Sequence, residues 1–137
     1  MIVDSQNELS NAQDITEDAA SEKYIDTTKA GQALNELWLV VQVQTVLDSA
    51  AEGGTLAISL RTAAAVADGA LTGPTTLFTT AAIAEASLVA GYQALLMRLP
   101  PGLLRYVDLY YDVNDGDPFT SGALDAFLTM SPDGLNS

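Results

Sequence analysis

Apolar residues recur at every second position over much of this chain, the period at which a β-strand turns one face to a core and the other to solvent. Residues 36–46 (ELWLVVQVQTV) are rich in β-branched side chains and become strictly alternating toward their end, which predicts a strand. Ala51-Glu52-Gly53-Gly54 supplies turn chemistry, and residues 55–62 alternate again with Leu56, Ile58 and Leu60 on one face. The two segments read as a hairpin or as near-neighbour strands. Residues 63–74 read as a small-residue linker broken at Asp68-Gly69 and Gly73-Pro74, leading into a threonine-rich strand at 75–80. In residues 81–90, Ile83 and Leu88 are five apart and build no helical stripe, so a loop with one helical turn is expected. Residues 92–99 form another strand, ended by Pro100-Pro101-Gly102 because proline has no N–H for the ladder. The clearest alternation lies at 105–113, with Val107, Leu109, Tyr111 and Val113 on one face. Residues 114–118 are a turn by local chemistry, and 122–130 the last strand.

The first 35 residues differ in texture. They are polar and acidic, and Ile2, Val3, Leu9, Ile15, Tyr24 and Ile25 are spaced too widely for a helix face. This predicts an extended N-terminal arm, either disordered or ordering against a partner, with a short strand at 21–26. The chain then divides into the arm at 1–35, a sandwich at 36–130 and a C-terminal tail at 131–137. Short alternating strands, turn signals between them and no amphipathic helix predict an all-β, antiparallel sandwich. Its connectivity is immunoglobulin-like or jelly-roll, which periodicity does not separate.

Composition narrows the chemistry. The 137 residues suit one domain with a core of its own, needing no disulfide or metal staple. Five Lys and Arg stand against 18 Asp and Glu, a net charge of −13, which argues against nucleic acid as a partner. The chain has no histidine and no cysteine, so the commonest general base, the thiolate nucleophile and zinc sites built on imidazole or sulfur are excluded. The first 20 residues lack the basic start and apolar stretch of a signal peptide. Apolar runs such as residues 37–41 fall far short of the roughly 20 needed to cross a bilayer, so no membrane partner is expected.

Asp112, Asn114, Asp115 and Asp117 crowd one turn and invite comparison with a calcium loop. The spacing fails: Gly116 stands where a ligand belongs and Ala123 where the bidentate glutamate belongs, so an ordinary turn is expected. Asp108 and Asp112 lie on one face about 13 Å apart, beyond either glycoside-hydrolysis geometry. Gly53-Gly54 lacks the lysine of a phosphate loop, and no serine sits in a nucleophile elbow. No catalytic residue, cofactor or metal is expected. The outward parity of the strands, in contrast, carries Trp38, Val40, Tyr106, Tyr110 and Phe127. Such residues are either strands buried on both sides, isolated exposed aromatics, or anchors of a protein interface. Arg61, Arg98 and Arg105 sit near strand ends and would pair with the acids of a neighbour or of their own chain. The candidate interface is therefore Ile2, Val3 and Leu9 of the arm with Trp38, Val40, Arg61, Arg105, Tyr106, Tyr110 and Phe127. A carbohydrate-binding module, stacking sugars on exposed Trp and Tyr, is the alternative.

The string PPGLLRYVDLYYDV at 100–113, followed by PFTSGA at 118–123 and AFLT at 126–129, resembles the capsid cement (decoration) proteins of tailed bacteriophages, of the type found on a Bordetella podophage. MIVDSQN at 1–7, SNAQ at 10–13, TTLFTT at 75–80, and AGY at 90–92 before RLP at 98–100 fit the same resemblance. It implies a jelly roll without enzymatic activity, made in the host cytoplasm and held on the outer surface of an icosahedral head. There it would bridge major capsid protein subunits, and similar members associate as dimers at two-fold positions.

Overall fold

The computed structural model describes residues 8–27, 37–100, 103–114 and 116–129. Its strands are β1 (Glu8–Asp14), β2 (Ala19–Ala20), β3 (Ile25–Asp26), β4 (Trp38–Ser49), β5 (Thr55–Ala63), β6 (Val66–Ala67), β7 (Ala70–Leu71), β8 (Thr75–Thr79), β9 (Ile83–Ala84), β10 (Gln93–Arg98), β11 (Tyr106–Val113) and β12 (Phe119–Thr129). A 3-10 turn, Glu85–Ser87, falls where one helical turn was expected.

One sheet runs β1-β12-β4-β10; the other runs β2-β11-β5-β8, with β3 also on β11 and β9 also on β5. All pairings are antiparallel. The first long strand pairs with the last, and successive crossings fold inward from that pair, which is the strand order of a jelly roll. The inner faces meet in one core: Leu39, Val41 and Val43 of β4 with Leu124, Ala126 and Leu128 of β12, against Leu56, Ile58 and Leu60 of β5 with Val107, Leu109, Tyr111 and Val113 of β11.

Three sequence expectations are revised. The segments at 36–46 and 55–62 do not form a hairpin; β4 and β5 belong to opposite sheets, and the 50–54 turn carries the chain across the core. The linker at 63–74 contains its own small hairpin, β6 with β7, turning on Asp68 (φ 54°) and Gly69 (φ 80°). Two successive left-handed residues suit the right-handed twist of such a tight hairpin. Residues 8–27 of the expected arm are built into the sheets: β1 pairs with β12, β2 and β3 with β11, and Leu9, Ile15 and Ile25 join the core. The sparse apolar positions of that stretch are its core anchors. Residues 1–7 and 28–35 of the arm, Glu36 and Met130 at the two ends of the expected sandwich, and the tail from 131 lie outside the described residues.

Two local devices hold this geometry. The first is at the 50–54 crossing, where Asp117 accepts the N–H groups of Gly53 (2.6 Å) and Ala51 (3.2 Å) and the Ser49 hydroxyl (2.9 Å). Ser49 also contacts the Glu85 carboxylate and accepts the Gly54 N–H. Asn114 donates to the Gly53 carbonyl and accepts Gly116 N–H, so the acid-rich turn is a clamp on the neighbouring crossing. The second device is Gly122, at φ +128° in the irregular β12–β4 register, where a Cβ would stand 2.1 Å from Leu47 Cδ2 and 2.7 Å from Leu47 Cα.

Gly122→Ala is therefore expected to cost about 3 kcal/mol or more, read as a lower urea midpoint. The Gly53 N–H, with Ala51 N–H and the Ser49 hydroxyl and against the smaller opposing effect of burial, holds the Asp117 carboxyl below the usual carboxylate range. A depressed native pKa gives stability that is present above about pH 4 and is lost as pH falls through the native value. The stability gap between the parent and Asp117→Asn, followed by urea melts from pH 7 to 3, should close below pH 4.

Candidate functional site

With Val107, Leu109, Tyr111 and Val113 committed to the core, Tyr106, Asp108, Tyr110 and Asp112 of β11 stand on the outside of their sheet. Beside them on β5 the register places Ser59 against Tyr110, Arg61 against Asp108 and Ala63 against Tyr106. Arg61 holds Asp108 in a two-pronged bond, Nε to Oδ1 at 2.9 Å and Nη2 to Oδ2 at 2.7 Å, with its Cζ 4.9 Å from the centroid of the Tyr110 ring. Asp108 is only 3% exposed, so this is a desolvated charge made tolerable by a planar partner of matching geometry. Next to it, Arg105 binds Asp26 at 3.1 and 3.2 Å and lies 5.0 Å over the Tyr106 ring, while Tyr24 meets Tyr106 edge to face at 5.5 Å. The Asp26 contact raises the Arg105 pKa further above its already high value. The Ser59 and Thr79 hydroxyls bond at 2.9 Å across the same face.

The four-stranded sheet presents a second outer face, on the opposite side of the sandwich. Leu39, Val41, Ala126 and Leu128 point inward, so Trp38, Val40, Asp125 and Phe127 point out. The register aligns Phe127, Val40 and Leu96 in one row across β12, β4 and β10, and Thr129, Trp38 and Arg98 in the next. Arg98 stacks on Trp38 with its Cζ 5.1 Å from the ring centroid.

The expected interface residues thus separate into two opposed groups: Arg61, Arg105, Tyr106 and Tyr110 on one side, Trp38 with its neighbours on the other. Three assignments are corrected. Leu9 is fully buried in the core, because β1 is a strand of the sandwich. Val40 is fully buried although it faces outward, in one row with Phe127 and Leu96. Phe127 is 7% exposed beside it. None of the three offers surface to a partner from the folded chain. Ile2 and Val3 lie outside the described residues. The arginine reading resolves by residue: Arg61 and Arg105 pair within the chain, as Lys23 does with Glu8 at 3.1 Å, whereas Arg98 has no acidic partner among the described residues.

Leu96, 42% exposed, and Asp125 were not among the interface candidates, though alternation in 92–99 and 122–130 already puts them outside, together with Arg98. No group of three or more carboxylates is close enough to hold a metal among the described residues.

The profile of one protein family matches residues 9–128, from β1 through β12. The chain belongs to the Bbp16 family. The Bbp16 name points to a Bordetella phage protein, and the matched span contains both outer faces together with the core between them. A search of curated proteins found no match.

In this Bbp16 chain the Arg61–Asp108 pair is open to direct measurement. Arg61→Ala strands a buried carboxylate and is expected to cost about 3 kcal/mol, whereas Arg61→Met with Asp108→Leu should return to within about 1 kcal/mol of the parent in urea melts.

Proposed function

We propose that this Bbp16 chain is a structural virion protein of a tailed phage. It binds the outside of the icosahedral head, bridges major capsid protein subunits, and associates with a second copy of itself. No step of this role calls for an enzymatic group, a cofactor, nucleic acid or a membrane. The observation that carries the reading is the placement of aromatic and arginine side chains on both outer faces of one sandwich. A bridging protein needs two adhesive surfaces pointing apart, and a monomeric soluble domain has no use for them. Family membership supports the phage setting. Repetition on a lattice multiplies modest contacts into stable occupancy.

The glycan-binding alternative needs open ring faces for sugar stacking. Trp38, Tyr106 and Tyr110 each already carry a guanidinium within 4.9–5.1 Å of the ring centroid, which favours a protein partner over a pyranose.

The test is co-sedimentation with empty heads that lack the protein. Saturable binding at a fixed ratio to the major capsid protein is expected, and Tyr110→Glu is expected to reduce occupancy at least about tenfold while the variant melts as a folded sandwich. A protein that stays at the top of the gradient defeats the proposal. Because Leu9 belongs to the core, removal of the arm in such a test is confined to residues 1–7.

A further inference from the structure

We infer that the outer face of the four-stranded sheet is the surface on which a second copy of this chain docks, with Arg98 of each copy meeting Asp125 of the other. This deepens the proposed self-association by assigning it to a face and a contact.

The argument begins with charge. In a chain with five cations and 18 acids, an arginine without an acid is out of place. Arg98 is exposed, and its guanidinium stacks on the Trp38 ring without an acidic partner among the described residues. The stacking restricts the guanidinium while leaving its donors free, so the ordering entropy of docking is reduced. Leu96, two residues away on the same face, is 42% exposed. An apolar side chain beside a pre-oriented cation suits a partner surface that offers a carboxylate next to an apolar contact.

The same face supplies that carboxylate. In the register, Arg98 pairs with Trp38, Leu96 with Val40, Phe127 with Val40 and Asp125 with Gln42. Counted from Val40, Arg98 lies one strand across toward β10 and two residues along the strand. Asp125 lies one strand across toward β12 and two residues along in the opposite sense. The two charges are therefore symmetrically placed about Val40, each about 8 Å from it at ordinary strand spacing and rise. A two-fold axis lying in the interface over Val40, perpendicular to the Arg98–Asp125 line, brings each Arg98 onto the partner's Asp125. This is the reciprocal contact that a closed dimer requires. Asp125 is already held in place, since its Oδ1 accepts the Ala12 N–H at 2.7 Å, which leaves its second oxygen for the arginine.

The experiment is complementation by charge reversal, read by sedimentation equilibrium without capsids. The parent chain is expected to dimerise. Arg98→Glu and Asp125→Lys should each dissociate at least about tenfold more readily, because each homodimer would hold two like-charge contacts. Mixed in equal amounts, the two variants should form a heterodimer in which both contacts are again opposite in sign. Asp125→Asn, which keeps an acceptor for Ala12, serves if the lysine variant melts early, and it should also weaken the dimer. A monomeric parent, a dimer indifferent to Arg98→Glu, or folded charge-reversed variants that fail to complement would overturn the inference. The proposed head binding is read separately by co-sedimentation, so either reading can fail alone.

Discussion

Phase is the constraint on which this structure depends. A strand that slips by one residue exchanges its core face for its solvent face. In β4, β5, β11 and β12 the inward set is apolar almost without exception, and the two sheets close only while all four strands keep step. The irregularities in the β12–β4 ladder threaten that step, and Gly122 absorbs one of them through a conformation that a Cβ would not tolerate. Once the inner residues are fixed, the outer ones have no freedom of address. Tyr106, Asp108 and Tyr110 face one side because Val107 and Leu109 face the other, and Trp38 and Arg98 lie opposite for the same reason.

The scarcity of positive charge explains how these outer faces are used. Arg61 is spent on a carboxylate that would otherwise be stranded in a nearly dry setting, and Arg105 on Asp26 beside the Tyr24–Tyr106 pair. Both arginines also lie over tyrosine rings, so at their positions each positive charge is matched by a carboxylate beside an aromatic ring within a strongly acidic molecule. Arg98 is treated differently: it has a ring and no acid among the described residues. The two faces therefore differ in kind. One pairs its arginines with carboxylates beside tyrosine rings, while the other carries an arginine with no acidic partner among the described residues.

Much of the fold was legible because strand alternation is a local signal. The strands at 75–79, 93–98 and 106–113 fall within a residue or two of their expected places. What alternation does not encode is which strand pairs with which. The 50–54 turn has the chemistry of a hairpin, yet it crosses between sheets, and the side chain that fastens it, Asp117, comes from a turn more than 60 residues away. The same ignorance of distant partners made residues 8–27 read as a tether: Leu9, Ile15 and Ile25 are too sparse to announce a strand until β11 and β12 are there to receive them. Of the expected interface, parity alone gave the outward direction correctly for Val40 and Phe127. Whether an outward side chain stays accessible is not set by parity, and Val40 is fully buried.

Net charge sets the terms on which such a molecule meets its own kind. Copies at −13 repel through the solvent, and that repulsion acts over a distance the salt determines, about 8 Å at physiological ionic strength. A guanidinium in direct contact with a carboxylate is screened far less, because little solvent separates the two. Added salt therefore removes more of the opposition than of the attraction, up to the concentration at which the contact pair is itself screened. Association through the Arg98 face should thus strengthen from low to moderate salt, the reverse of the trend for binding driven by net opposite charge. A net charge of −13 is then compatible with a specific dimer, because the two act at different ranges.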